Sequence, residues 1–184
     1  MFIKGEKVLL RAIELEDAEL LREMINDEGI ESVARGTSFP VAKHQQIKWI
    51  ENLPSDNSVF RAMIDVNGKA VGTIILTNID LRNGTAETHI KIAKQTERGQ
   101  GYGSDAVLAL LRYAFNTLRL NCVFCHVKED NIPSQKMFEK CGFVKEGVLR
   151  QRVFRHGNYF DVFVFSILKD EYIAKWGEPE INNN

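Results

Sequence analysis

Residues 97–118 read ERGQGYGSDAVLALLRYAFNTL. Gly99, Gly101 and Gly103 alternate with other residues, and a long amphipathic pattern follows at once. Glycine costs conformational entropy, so this density of it calls for a reason. Ala106, Val107, Leu110, Leu111, Ala114, Phe115 and Leu118 recur at steps of one and three, which is one face of a helix. Small residues entering a helix leave several N–H groups unpaired and aimed at one point, where the helix dipole adds partial positive charge. The guest this predicts is phosphate or pyrophosphate; the competing reading is a plain glycine-rich turn.

Two nucleotide motifs fail on context. A P-loop needs Lys-Ser or Lys-Thr closing the glycine run, and neither follows Gly103. A dinucleotide fingerprint needs Gly-x-Gly-x-x-Gly inside a parallel βαβ unit. The spacing of Gly99, Gly101 and Gly103 misses it, and the preceding strands read as hairpin-linked.

Upstream of the loop, VFRAMIDV (59–66) and AVGTIILTNI (70–79) are strand-like and joined by Asn67-Gly68, the strongest short hairpin signal. Asn83-Gly84 marks a second turn before TAETHIKIA (85–93), so residues 59–93 are predicted to form a three-stranded antiparallel meander. Nearer the N-terminus, KVLLRAI (7–13) reads as a strand, and LEDAELLREMIND (15–27) and HQQIKWIENL (44–53) as helices. Downstream, VFCHVK (123–128) is a strand, which makes the unit around the loop a crossover. NIPSQKMFEKCGF (131–143) is a short helix, with Asn131 as N-cap, Pro133 in the first turn and Gly142 at its end. FVKEGVLRQRVF (143–154) and YFDVFVFSIL (159–168) flank Arg155-His156-Gly157-Asn158 as a final hairpin. Residues 175–184 are expected to form a frayed polar tail.

The 184 residues suit one domain, expected to span the whole chain. A hydrophobic share of 44% with 27% charged residues fits a water-soluble domain with a real core. The net charge of −1 lacks the basic excess of a nucleic-acid binder. No apolar run is long enough to cross a bilayer, and charges interrupt the apolar N-terminus, so neither a membrane span nor a secretory leader is expected. A cytoplasmic location is the resulting expectation. The odd count of three cysteines argues against a disulfide framework. Cys122 and Cys125 have metal-site spacing, but on a strand they point to opposite faces, so buried reduced thiols are expected and no metal.

The segment RGQGYG resembles the Arg/Gln-x-x-Gly-x-Gly/Ala motif of the GNAT N-acetyltransferase superfamily, with Arg98, Gly101 and Gly103 at its fixed places. Asn131, Ser134, Gly142 and Phe143 resemble the family's second signature. Residues 146–168 are similar to the closing hairpin of its polyamine and ribosomal-protein branches, and the element order agrees over nearly the whole chain. The fold this implies is a mixed α/β one: a mostly antiparallel seven-stranded sheet, splayed in the middle, with helices on both faces.

The resemblance implies acetyl-coenzyme A as cosubstrate, held where the strands before the loop and after the helix part. Splaying leaves backbone groups unpaired, and the pantetheine arm can satisfy them like an added strand. Main-chain contacts are expected from Ile92 and Ala93, and a pyrophosphate cradle from Arg98, Gly99, Gln100, Gly101, Tyr102, Gly103 and Ser104. Asn131 is expected at the pantetheine or phosphate end, with Lys140 or Lys136 at the nucleotide phosphates. The implied reaction is direct attack of a primary amine on the thioester in a ternary complex. It needs a base for the ammonium, a donor for the oxyanion and an acid for the sulfur.

A backbone N–H near Ile92 suits the oxyanion, and Glu87 is the candidate base, weighed against an ordinary surface carboxylate. His89 and His126 flank the same cleft but read as structural. Relatives often carry a tyrosine acid where this chain has Phe138, which has no proton to give; Tyr159 is a substitute by position only. The acceptor is left open among a polyamine, a protein N-terminus, an amino sugar and another small amine. Residues 28–56, with Glu28 and Glu31, are expected to wall it, and a homodimer is compatible. A non-catalytic acetyl-coenzyme A sensor and a nucleotide binder of another fold are the alternatives.

Overall fold

Alternating side chains build a sheet between two helical layers in the computed structural model, which describes residues 2–27, 39–54 and 58–177. Strands β1 (Ile3–Lys4) and β2 (Leu9–Arg11) come first, then a 3-10 turn (Leu15–Asp17) and helices α1 (Ala18–Asn26) and α2 (Lys43–Glu51). The meander is β3 (Phe60–Val66), β4 (Lys69–Asp80) and β5 (Thr85–Ile92). Asn67 and Gly68 take the positive φ values, 53° and 82°, of the expected tight turn. Then come α3 (Tyr102–Asn116), β6 (Cys122–Lys128), α4 (Ile132–Lys140), β7 (Val144–Arg155), β8 (Asn158–Leu168) and α5 (Lys169–Trp176).

The sheet runs β1-β2-β3-β4-β5-β6-β8-β7. Neighbours are antiparallel except β5 and β6, which the α3 crossover makes parallel. The architecture is the expected mixed α/β one. Among the described residues it has eight strands rather than seven because Ile3–Lys4 pairs with Leu9 and Leu10.

The predicted face of α3 is the centre of the larger core. Ala106, Val107, Leu110, Leu111, Ala114 and Phe115 are buried with Ala62, Ile64 and Ile74 of the meander, while Leu118 packs at the margin. Ala18 and Met24 of α1, Ile50 of α2 and Met63 of β3 are buried outside that cluster. Met63 alternates with Ala62 and Ile64, so α1 and α2 cover the other face of the sheet.

A second expectation changes. Residues 175 and 176 are not a frayed tail but complete α5, whose Tyr172 ring stacks 5.4 Å from Phe115. Glu28 and Glu31, expected in the acceptor wall, lie outside the described residues. Among the described residues, no helix is long and apolar enough to cross a membrane.

Candidate active site

The sheet forks at its centre. β5 pairs with β6 only at Thr85↔Cys122, Ala86↔Val123 and Glu87↔Phe124, although both strands continue. Cys122 donates its amide to the carbonyl of Gly84, so even-numbered β5 residues turn their backbone toward β6. Ile90 and Ile92 therefore face the open fork, while the Ala93 amide donates to the Val71 carbonyl on β4 at 2.8 Å. Ala93, where a main-chain contact was expected, thus turns its backbone away from the fork, and Ile90 turns toward it. Thr88 lies just beyond the last pair, and its Oγ1 is buried with no hydrogen-bond partner among the described residues.

The glycine loop runs from the fork into α3. Gly99 and Gly101 take φ of 76° and 84°, a region where side chains are strained, and Gly101 is the N-cap of α3. Intrahelical bonding begins with the Asp105 amide on the Gly101 carbonyl at 3.0 Å. The amides of Tyr102, Gly103 and Ser104 therefore have no helical acceptor. A Cβ on Gly103 would sit 3.0 Å from the Met137 sulfur, so the first turn and α4 approach closely.

Asp105 braces this loop from behind, a role sequence reasoning missed. Its carboxylate accepts the amides of Glu6, Lys7 and Val8 at 3.0, 2.7 and 2.9 Å. A Cβ on Gly5 would lie 2.4 Å from that carboxylate, so any other residue there would push Asp105 off its three amides. Lys7 Nζ donates to the Gln100 carbonyl at 3.2 Å, tying the loop to the same turn.

A groove of about 560 Å³ follows the fork and the loop. Ile90, Ile92, Arg98, Gly99, Gly101, Tyr102, Gly103 and Ser104 line one wall, and Asn131, Ser134, Lys136, Met137 and Lys140 the other. Ala93 and Gln100, expected in the site, do not line it. Four cations, Lys91, Arg98, Lys136 and Lys140, outnumber the one acid, Glu97, which Lys69 engages at 2.7 Å. Arg98 donates to the Ile92 carbonyl at 3.3 Å and to Gln95 Oε1 at 3.1 Å. Asn131 caps α4 by accepting the Ser134 amide at 3.3 Å, which leaves its amide nitrogen outside that cap. Unpaired amides, a cationic rim and an open strand edge suit a diphosphate joined to an amide-bearing arm.

The opposite face of the fork carries Glu87, His89 and His126. Glu87 is only 5% exposed. Its Oε1 accepts from His126 Nδ1 at 2.6 Å and its Oε2 from Asn78 Nδ2 at 3.0 Å. Asn78 reaches it because β4 slips register between Thr77 and Asp80, with Asn78 at φ 51°. His89 Nε2 lies 3.0 Å from Thr77 Oγ1 and 3.7 Å from Glu87 Oε1. Glu87 and His89, two apart on one strand, had to share a face; that His126 joins them required the β5–β6 register.

Phe138 is buried and packs 4.9 Å from Phe143, outside the groove lining. Tyr159 is exposed at the far hairpin against Phe154. The cysteines alternate as expected, Cys125 buried and Cys122 half-buried. Burial pushes the Cys125 and Cys122 thiols up, and Cys141 to about 11. None is an available nucleophile near neutral pH.

Comparison with known proteins agrees with this geometry. Residues 7–144 match the model of the acetyltransferase (GNAT) domain. An uncharacterized N-acetyltransferase of Bacillus licheniformis is 32% identical, over 91% of this chain and 96% of that protein. A spermidine N(1)-acetyltransferase of Vibrio cholerae is 28% identical, over 93% and 98%. A crystal structure of spermidine N-acetyltransferase from Vibrio cholerae, in complex with CoA and spermine, superposes with a TM-score of 0.84 at 26% identity, covering 92% of this chain and 99% of that one. The chain therefore belongs to the GNAT family, and it is an N-acetyltransferase that moves an acetyl group onto an amine.

Proposed function

We propose that the groove takes acetyl-coenzyme A and that the opposite face of the fork takes a primary amine of an extended, polyamine-like acceptor. The observation that carries this is the fork itself. Pairing stops at Glu87↔Phe124, and the open edge leads into the unpaired amides at the start of α3. In this reading Ile90 and Ile92 offer main-chain bonds to the pantetheine amides. Gly101, Tyr102, Gly103 and Ser104 hold the pyrophosphate, while Arg98, Lys136 and Lys140 offset its charge. Asn131 adds its amide nitrogen at the neck of the groove. A further main-chain N–H on the fork side of β5 supports the acyl oxygen, with the donor preorganised rather than recruited.

Phe138 supplies no proton, so water or another residue protonates the departing thiolate; a solution thiol pKa of about 8.5 makes it a tolerable leaving group. Likeness to spermidine acetyltransferases from two bacteria, one with spermine in its complex, favours the polyamine class over amino sugars. A thiol-release assay with mass detection of product should give monoacetylated spermidine or spermine. Acetylation confined to a peptide N-terminus or an amino sugar would overturn the acceptor class.

A further inference from the structure

We propose that His126, not Glu87, is the proton acceptor for the incoming amine, and that Glu87 is a positioning residue behind it. This deepens the proposed function and rests on it.

Three observations separate the two residues. Glu87 is buried, and both of its oxygens are engaged, by His126 and by Asn78. At 5% exposure, with a bond already on each oxygen, this carboxylate presents little surface to a substrate ammonium. His126 is the more open partner, with its side chain 21% exposed against 7% for Glu87. It stands two residues beyond Phe124, the last β6 residue paired with β5, and so at the mouth of the fork. The tautomer follows from chemistry. An ionised carboxylate only accepts, so Nδ1 carries the hydrogen of the 2.6 Å bond and Nε2 keeps a lone pair. Phe124 meets the imidazole edge-on, 5.8 Å between centroids, and restrains its rotation.

Among the described residues of β4, β5, β6 and β8, few groups compete with it. On β5, Glu87 and His89 share this face, and His89 is bonded to Thr77. On β6, Lys128 is two residues on and its ammonium lies 3.0 Å from Asp130. On β8 the facing residues Val162, Val164 and Ser166 are uncharged, and β4 contributes the neutral Thr77 and Asn78.

The step balances without a further reagent. Nε2 takes one proton from the ammonium, giving imidazolium and a neutral amine. The nitrogen lone pair forms the C–N bond to the thioester carbonyl carbon. As the C–S bond breaks, its electron pair leaves on sulfur. The nitrogen's second proton reaches that thiolate through water, and the imidazolium returns its proton to solvent.

His126→Gln should lower kcat about 10²-fold or more at neutral pH, the usual range for a lost general base, with acetyl-coenzyme A affinity unchanged by calorimetry. The deficit should shrink as pH rises toward the pKa of the acceptor amine, because a free amine needs no base; a purely structural loss would not follow pH. Glu87→Gln keeps an acceptor for Nδ1 and should retain more activity than His126→Gln. ¹⁵N NMR of wild-type protein should show the His126 ring hydrogen on Nδ1. A His126→Gln enzyme matching wild type across pH, or a hydrogen on Nε2, would overturn this inference alone. Acetyl-coenzyme A binding without acetylation of any amine would overturn the reading beneath it, and this with it.

Discussion

At single positions the backbone decides more than the side chains do. Gly101 holds φ at 84° as the N-cap of α3, and an added Cβ would meet only the flexible end of Lys7, at 3.2 Å. Space is therefore not the constraint; the left-handed conformation is, at about 1–2 kcal/mol for other residues. Gly101→Ala should relieve that strain by turning the loop and re-aiming its amides, weakening acetyl-coenzyme A about tenfold in a calorimetric titration. Asp17 shows the opposite balance, where a side chain dominates. Burial works to raise its pKa, but hydrogen bonds from Arg11, at 2.8 Å to each oxygen, and from the Glu14 amide outweigh it. The folded value therefore lies below the unfolded one of about 3.9. This stabilisation is complete above pH ~5 and is lost as pH falls through the unfolded value toward the folded one. Asp17→Asn should cost about 2–4 kcal/mol at pH 7 and flatten the fall in stability between pH 5 and ~2, read from urea midpoints. Unchanged acid sensitivity would mean that other carboxylates set it.

Among the elements, α3 does two jobs with one sequence. Its N-terminus forms the loop, and its apolar face seats that loop on the sheet. Phe115 is buried between the core and Tyr172 of α5, so Phe115→Ala should cost about 3–5 kcal/mol in chemical denaturation. A loss under 1 kcal/mol would mean that α5 does not dock as described. How much of this was legible beforehand follows from where the information lies. The period of α3, the hairpin at Asn67-Gly68 and the cap at Asn131 are local patterns, so sequence was enough for them. Helix α5 went unread because its burial rests on Tyr172, with Ile173 at the margin, among charged neighbours. The choice of Ile90 over Ala93 and the joining of Glu87 to His126 depend on which residue opposes which across strands. Local periodicity carries no such information.

Across the whole molecule, the fork stands between the two halves of the proposed site, which belong to different faces of one sheet. The loop and groove lie on the side of α3 and α4, and Glu87 with His126 on the side of α1 and α2. A thioester threaded through the gap would meet an amine arriving from the far side, and pairing β5 to β6 throughout would close that passage. Asp105, gripping three amides of the β1–β2 turn, keeps the loop in place while the strands stand apart. The most direct measurement is a crystal structure with acetyl-coenzyme A bound. The expected result is a diphosphate within ~3 Å of the amides of residues 101–104, with pantetheine amides bonded to Ile90 and Ile92 in the open fork. A diphosphate bound elsewhere, or β5 and β6 paired past Glu87↔Phe124 with the cofactor outside them, would contradict the account.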